Sequence, residues 1–193
     1  MAHRRPWRCY RKWSRRPFQH KRSPNHRREY ARGGSQAKIQ RFWGGNKFVP
    51  WDEWDIVLGL KVDDQIQLSS NALETIRVVL NAQMLKKVGR NNYRLRIRPK
   101  PFQKVRENRM LAFAGADRVQ SGMRNSFGRV TMVAARLRAG QVIADLGLNF
   151  KNLKLARDRM RVASTKIPCS CQTVILRYKT EEFLKRTGLP LYD

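Results

Sequence analysis

The sequence predicts an α+β domain: a mainly antiparallel sheet with two helices packed on it, a basic N-terminal arm and a long glycine-containing loop. Three observations lead there. Two segments carry apolar residues at helical spacing, several short segments alternate apolar and polar residues, and strands and helices do not alternate regularly as a parallel sheet would require. The 193 residues divide into a basic arm over 1–37, a domain over 38–178 with an internal loop at 107–131, and a C-terminal tail over 179–193. With 41% hydrophobic residues the domain can bury a core.

The arm comes first. Residues 1–34 hold twelve Lys or Arg, three His and one acid, Glu29, while Pro6, Pro17 and Pro24 interrupt any helix. Aromatic rings are threaded through it at Trp7, Tyr10, Trp13, Phe18 and Tyr30. Such a segment buries no core of its own and is expected to order on a partner.

The globular pattern begins at about residue 38, with a short strand expected over Lys38 to Phe42 and a turn at Gly44-Gly45. Trp54 to Val62 and Gln65 to Ser69 read as strands joined at Asp63-Asp64. Ser69, Ser70 and Asn71 offer N-cap side chains, and Leu73, Ile76, Val79, Leu80 and Met84 recur at helical spacing until Gly89 stops the helix. In the next strand Tyr93, Leu95 and Ile97 alternate with Arg94, Arg96 and Arg98, so one face packs and the other presents three guanidiniums; Pro99 and Pro101 end it.

Residues 107–131 show no sustained period and mix Gly115, Gly122 and Gly128 with Arg109, Arg118, Arg124 and Arg129. A loop of that length in a domain is functional or disordered. Strands resume over Val133 to Leu137 and Val142 to Leu148, joined through Ala139-Gly140. Asn149 is placed to cap a second helix with Leu153, Ala156, Met160 and Ala163 on one stripe and Lys151, Lys154, Arg157, Arg159 and Arg161 mostly around the rest, ending before Pro168. Val174, Leu176 and Tyr178 alternate in a last strand, and Thr180 to Arg186 suggests a short helical tail.

Charge narrows the function. Forty-two Lys+Arg against 14 Asp+Glu give a formal charge of +28, and a domain so positive is expected against a polyanion, because neutralising phosphates releases condensed counterions. No stretch approaches the roughly 20 apolar residues of a membrane span. The N-terminus has positive charge without a following apolar run, unlike a secretory signal, so an intracellular protein is expected. The three cysteines, Cys9, Cys169 and Cys171, suggest no disulfide framework.

Three surfaces can meet nucleic acid. In the arm, Arg4, Arg5, Arg8, Arg11, Lys12, Arg15, Arg16, Lys21 and Arg22 can grip phosphates while Trp7, Tyr10 and Trp13 stack on unpaired bases; the alternative is a solvated cationic tail. Arg94, Arg96 and Arg98 lie about 6.5 to 7 Å apart along a strand, close to phosphate spacing; the alternative is an ordinary exposed face. Glycines in the 107–131 loop let the backbone approach a crowded site, and a disordered connector is the other reading.

Catalysis and metal binding find little support. No Walker loop, dinucleotide fingerprint, G-x-S-x-G or H-E-x-x-H pattern occurs, and all three histidines sit in the arm. Cys169-Ser170-Cys171 has no common zinc spacing, and Asp63-Asp64 reads as a turn, so neither metal nor cofactor is expected. Composition and pattern alone leave two other classes open, a free nucleic-acid-packaging protein and an RNA-modifying enzyme.

Particular residues go further. Arg4-Arg5-Pro6 with Arg8-Cys9-Tyr10-Arg11, then Gln67-Leu68-Ser69-Ser70-Asn71-Ala72-Leu73-Glu74, then Ala114-Gly115-Ala116-Asp117-Arg118 with Gly122-Met123-Arg124, resemble the universal large-subunit ribosomal protein family called L-sixteen in bacteria and L-ten in eukaryotes. The likeness covers about residues 4–178 and is most specific from Met110 to Arg136, where M-L-x-x-A-G-A-D-R, G-M-R and A-A-R keep the family's order and spacing. The tail Glu181 to Arg186 looks like the eukaryotic branch. Two departures stand out: Val130 follows Phe127-Gly128-Arg129 where members usually have Pro, and Gly33 to Ala37 replaces a Pro-rich segment.

The resemblance implies a non-catalytic constituent of the large subunit of cytoplasmic ribosomes, bound to its rRNA beside neighbouring ribosomal proteins, without a membrane. It further implies that the loop with Arg109, Gly115, Asp117, Arg118, Gly122, Arg124 and Arg129 points towards the tRNA-binding region near the peptidyl-transferase centre. Assembly and export factors of the large subunit are implied as partners.

Overall fold

The computed structural model of the chain describes residues 36–107, 129–180 and 188–192. Within them a five-stranded antiparallel sheet and a three-stranded antiparallel sheet share two helices. The larger sheet has the order β1 (Trp43–Gly45), β4 (Tyr93–Ile97), β7 (Val142–Leu148), β2 (Ile56–Val62), β8 (Cys171–Tyr178). The smaller has the order β3 (Ile66–Ser69), β6 (Arg129–Leu137), β5 (Gln103–Glu107). The α+β expectation is met.

Helix α1 (Ser70–Lys87) starts where the cap chemistry expects it: Ser69 stays extended and its Oγ accepts from the Ala72 N–H at 3.3 Å. It ends at Gly89, whose φ of +87° suits glycine and whose N–H reaches the Met84 carbonyl at 3.2 Å. Of the predicted stripe, Leu73, Ile76, Leu80 and Met84 are fully inside, each contributing about 2 kcal/mol by leaving water, and Val79 is partly buried at its border. Helix α2 (Leu153–Ser164) packs beside α1 and buries Leu153, Ala156, Met160 and Ala163, again the predicted stripe.

Together the helices cover one face of the larger sheet, α1 against β1 and β4 and α2 against β8, while α1 also meets β3 and β6 of the smaller sheet. The core between them takes Tyr93, Leu95 and Ile97 from β4, Leu146 and Leu148 from β7, Ile56, Leu58 and Leu60 from β2, and Ile175 from β8. Central strand β7 is buried along all seven residues, because its outer face is covered too, by indole rings of the segment before β2. At the β8 edge the chain returns: the Ile175 N–H donates to the Pro190 carbonyl at 2.8 Å and the Tyr192 N–H to Ile175 at 2.9 Å, which occupies an otherwise open edge.

Several local expectations are corrected. Gly44-Gly45 is no turn but strand β1, paired with Leu95 and Arg94; a Cβ at Gly44 would meet Asn81 Oδ1 at 2.4 Å, so these glycines serve close packing. Asn149 does not cap α2 directly. It precedes a single 3-10 turn, Phe150–Asn152, whose first N–H donates to Asp55 Oδ2 at 3.0 Å, so the capping group comes from the start of β2.

In β8 the pairing register shifts, and Ile175 rather than Leu176 faces the helices, while Tyr178 is exposed. Strands β5 and β6 run into the segment assigned to the loop, taking Glu107 and Arg129 to Thr131 by mutual pairing that neither strand's own sequence announces. The expected tail helix over Thr180 to Arg186 lies, from residue 181 on, outside the described residues.

Candidate nucleic-acid interface

The outer face of the larger sheet is built around β4. Alternation sends Tyr93, Leu95 and Ile97 into the core and Arg94, Arg96 and Arg98 to the opposite side. Tyr93 is fixed by its hydroxyl, which donates to Asn81 Oδ1 of α1 at 2.8 Å, so the strand is anchored from below. Pairing then decides what each arginine meets: Trp43 and Asp145 flank Arg96 in register, and Gly45 and Gly147 flank Arg94.

The flanking glycines matter. A Cβ on Gly147 would lie 3.0 Å from the Trp54 ring and 3.3 Å from Trp51, so the missing side chain admits both indoles onto the sheet. Trp51 then stacks on Arg94, with the guanidinium carbon 4.2 Å from the ring centre, and Trp43 lies 5.2 Å away from the same carbon. Arg94 is only 9% exposed and donates from Nη1 to the Val49 carbonyl. Burial, and secondarily the neighbouring Arg96, lower its pKa from the ordinary value. Its guanidinium is part of the packing.

Arg98 is also engaged. Its Nε lies 2.8 Å from Oδ1 and 2.7 Å from Oδ2 of Asp145, a buried residue. Burial raises the Asp145 pKa, opposed by the hydrogen bond and charge of Arg98 and by the charge of Arg96. The expected face of three outward guanidiniums is therefore corrected for Arg94, which is enclosed because two tryptophans converge on it. Arg96 is half-buried, 5.3 Å from the Trp43 ring, and Arg98 keeps an exposed side.

A second cationic surface lies on α2. An open groove of about 540 Å³ is lined by Leu153, Lys154, Arg157, Asp158, Arg161, Thr173 and Leu189. The basic helix face was legible in the sequence, whereas the wall from β8 and the returning chain was not. At the head of β8, Cys171 Sγ lies 3.5 Å from the Cys169 carbonyl, and hydrogen bonding with Cys169 together with burial raises the Cys171 pKa.

Other expected site residues fall elsewhere. Arg4, Arg5, Trp7, Arg8, Tyr10, Arg11, Lys12, Trp13, Arg15, Arg16, Lys21 and Arg22 lie outside the described residues, as do Arg109, Gly115, Asp117, Arg118, Gly122 and Arg124. Arg129 opens β6 opposite Glu107. The sequence by itself does not mark Trp43, Trp51 or Asp145 as site residues. Their signal was an R-x-R-x-R strand whose neighbours only the register reveals.

A layered α+β domain with cations on its sheet face and along a helix belongs to the class of proteins shaped to rest against a polyanion. Comparison with known proteins places it within that class. Residues 18–174 match the family model described as ribosomal protein L16p/L10e. The chain is 35% identical over 176 residues to the large ribosomal subunit protein uL16 of Hyperthermus butylicus, covering 91% of this chain and 95% of that one.

Two further relatives bear the same name. That of one Methanococcus maripaludis strain is 37% identical over 175 residues, with 91% and 95% covered, and that of Methanococcus aeolicus is 37% identical over 171 residues, with 89% and 93% covered. The chain belongs to the ribosomal protein L16p/L10e family.

Proposed function

We infer that this chain is a structural constituent of the large ribosomal subunit, bound to rRNA and not catalytic, and that it works in the ribosomes of the cytoplasm. The observation that carries this reading is the likeness to large-subunit proteins along some nine-tenths of the chain. The charge of +28 supports rRNA as the partner, and neighbouring ribosomal proteins would share the site. Among the described residues no helix is long and apolar enough to cross a membrane.

The finer reading concerns the loop and the arm. Arg109, Gly115, Asp117, Arg118, Gly122, Arg124 and Arg129 help shape the tRNA-binding region near the peptidyl-transferase centre, and the arm from Arg4 to Arg22 clamps rRNA. Assembly and export factors of the large subunit act on the protein as it joins. These assignments rest on the sequence resemblance and on the chemistry of glycine-spaced arginines.

Sedimentation tests the first reading. The protein should travel with large subunits at low salt and be stripped as salt rises, since each neutralised phosphate steepens the salt dependence; protein left at the top of a low-salt gradient would defeat it. Replacing Arg109, Arg118 and Arg124 together by Ala tests the loop. Subunit maturation or tRNA handling should fail while the domain melts as before, and normal translation in that variant would remove the loop's role.

A further inference from the structure

Trp43 stands at the open end of a chain of alternating rings and cations. Trp51 lies 4.2 Å from the Arg94 guanidinium, Arg94 lies 5.2 Å from Trp43, and Arg96 lies 5.3 Å from Trp43 on the neighbouring strand. Arg94 at the centre is enclosed and Trp51 partly buried, but Trp43 is 43% exposed. Its backbone is held to β4: the Ile97 N–H donates to the Phe42 carbonyl and the Asn46 N–H to the Tyr93 carbonyl, both at 2.8 Å, so hydrogen bonds fix β1 at both ends.

A single exposed aromatic is ordinary on a protein surface. Here the arrangement is not. Two guanidiniums converge on one indole, and the surrounding segment 36–50 carries Lys38, Arg41 and Lys47 with no acid. Phe48, 85% exposed, repeats the pairing on a smaller scale with Lys47 Nζ 5.0 Å from its ring centre. Rings beside cations complement a nucleotide, the base offering a π-face and the phosphate a negative charge, while the carboxylate next to Arg96, Asp145, is buried and held by Arg98. Bases inside a duplex have no free face, so the ligand must be unpaired.

We propose that Trp43, with Arg96 beside it, is a stacking platform for an unpaired nucleotide of RNA, and that Arg94 is a positioning residue that holds the indole from within. The base extends the ring–cation alternation at Trp43, and Arg96 meets the adjoining phosphate. This deepens the rRNA-binding reading and rests on it. Trp51 and Trp54 hold the arrangement in place and do not touch the ligand.

The test uses the full chain with a short single-stranded oligouridine and, separately, intact large subunits carrying the protein. Trp43→Ala should weaken oligouridine binding about 5- to 150-fold, the range for losing one base–aromatic stack, while Trp43→Phe retains most of the affinity. Ultraviolet irradiation of the wild-type protein, free with oligouridine and within subunits, should attach a nucleotide to the peptide containing Trp43, a readout independent of whether Trp43→Ala folds. RNA binding unchanged by Trp43→Ala, with no nucleotide attached there, overturns the platform and leaves the rRNA reading standing. A Trp43 adduct to a neighbouring protein also overturns it. Failure of the wild-type chain to bind any RNA defeats both.

Discussion

Arg98 and Asp145 form an unequal pair: one Nε spans both carboxylate oxygens at 2.8 and 2.7 Å, yet the Arg98 side chain is 40% exposed and that of Asp145 only 4%. The pair ties the end of β4 to the middle of β7, where the Arg98 N–H also donates to the Ile143 carbonyl at 2.9 Å. Because one partner is dry and the other wet, removing them has different consequences.

Arg98→Met strands a buried carboxylate whose remaining nearby cation is Arg96, and should cost about 3 kcal/mol. Asp145→Asn leaves a guanidinium that water can reach, keeps one acceptor oxygen and relieves the burial of a charge, so it should cost less than about 1 kcal/mol. Urea unfolding of the two variants at neutral pH measures both. Equal losses, or a larger loss for Asp145→Asn, would contradict the asymmetry.

The same carboxyl makes stability depend on pH. Its folded pKa is raised from the ordinary 3.8, chiefly by burial, so the native state keeps this proton to higher pH than the unfolded chain does. The stability Asp145 contributes is thus complete below 3.8 and falls as pH rises through the folded value. Other acids titrate too, but they cancel when wild type is compared with Asp145→Asn. As pH rises above 3.8 the wild type should lose stability relative to that variant. A relative gain over the same range would mean that Arg98 outweighs burial and the shift runs downward.

Gly45 tests the corrected reading of β1. Its φ is +69°, and an added Cβ would fall 2.2 Å from the Tyr93 carbonyl oxygen, which is backbone and cannot swing away. Gly140 has a φ of +81° with nothing within 4 Å of the added atom. Gly140→Ala should therefore cost about 1 kcal/mol from conformation alone, and Gly45→Ala about 3 kcal/mol or more, from conformation and overlap together. Thermal unfolding decides, and equal effects would show that β1 yields readily.

Much of this was legible from local pattern. The stripes of α1 and α2, the Ser69 cap and the Gly89 stop are properties of contiguous residues, and the structure keeps all of them. What local pattern cannot carry is pairing. Gly44-Gly45 resembles a turn until Asn81 and Tyr93 are brought against it, and Leu176 appears inward-facing until the β8 register shifts.

The candidate site divides in the same way. The Arg94–Arg96–Arg98 alternation could be read directly, but its surroundings come from residues distant in the chain: Trp43 and Trp51 on one side, Asp145 on the other. Those neighbours separate three arginines of one type into an enclosed one, an intermediate one and an ion-paired one. Charge counting treats them alike.

That separation predicts different outcomes from the same conservative change. Arg94→Lys removes a planar cation from between two indoles and replaces it with an ammonium that cannot stack or keep the same fork of donors, in a site that excludes water. The loss should be about 2 kcal/mol of stability, combining weakened ring contacts with an unsatisfied Val49 carbonyl. Arg96→Lys keeps the charge at a partly exposed position and should change stability by about 0.5 kcal/mol or less. Its effect should appear instead in single-stranded RNA affinity, since a compact ammonium lacks the guanidinium plane. Unfolding and RNA titration of both variants separate the roles: Arg94→Lys should shift chiefly the first and Arg96→Lys chiefly the second, and the reverse ordering would show that Arg94, not Arg96, faces the ligand.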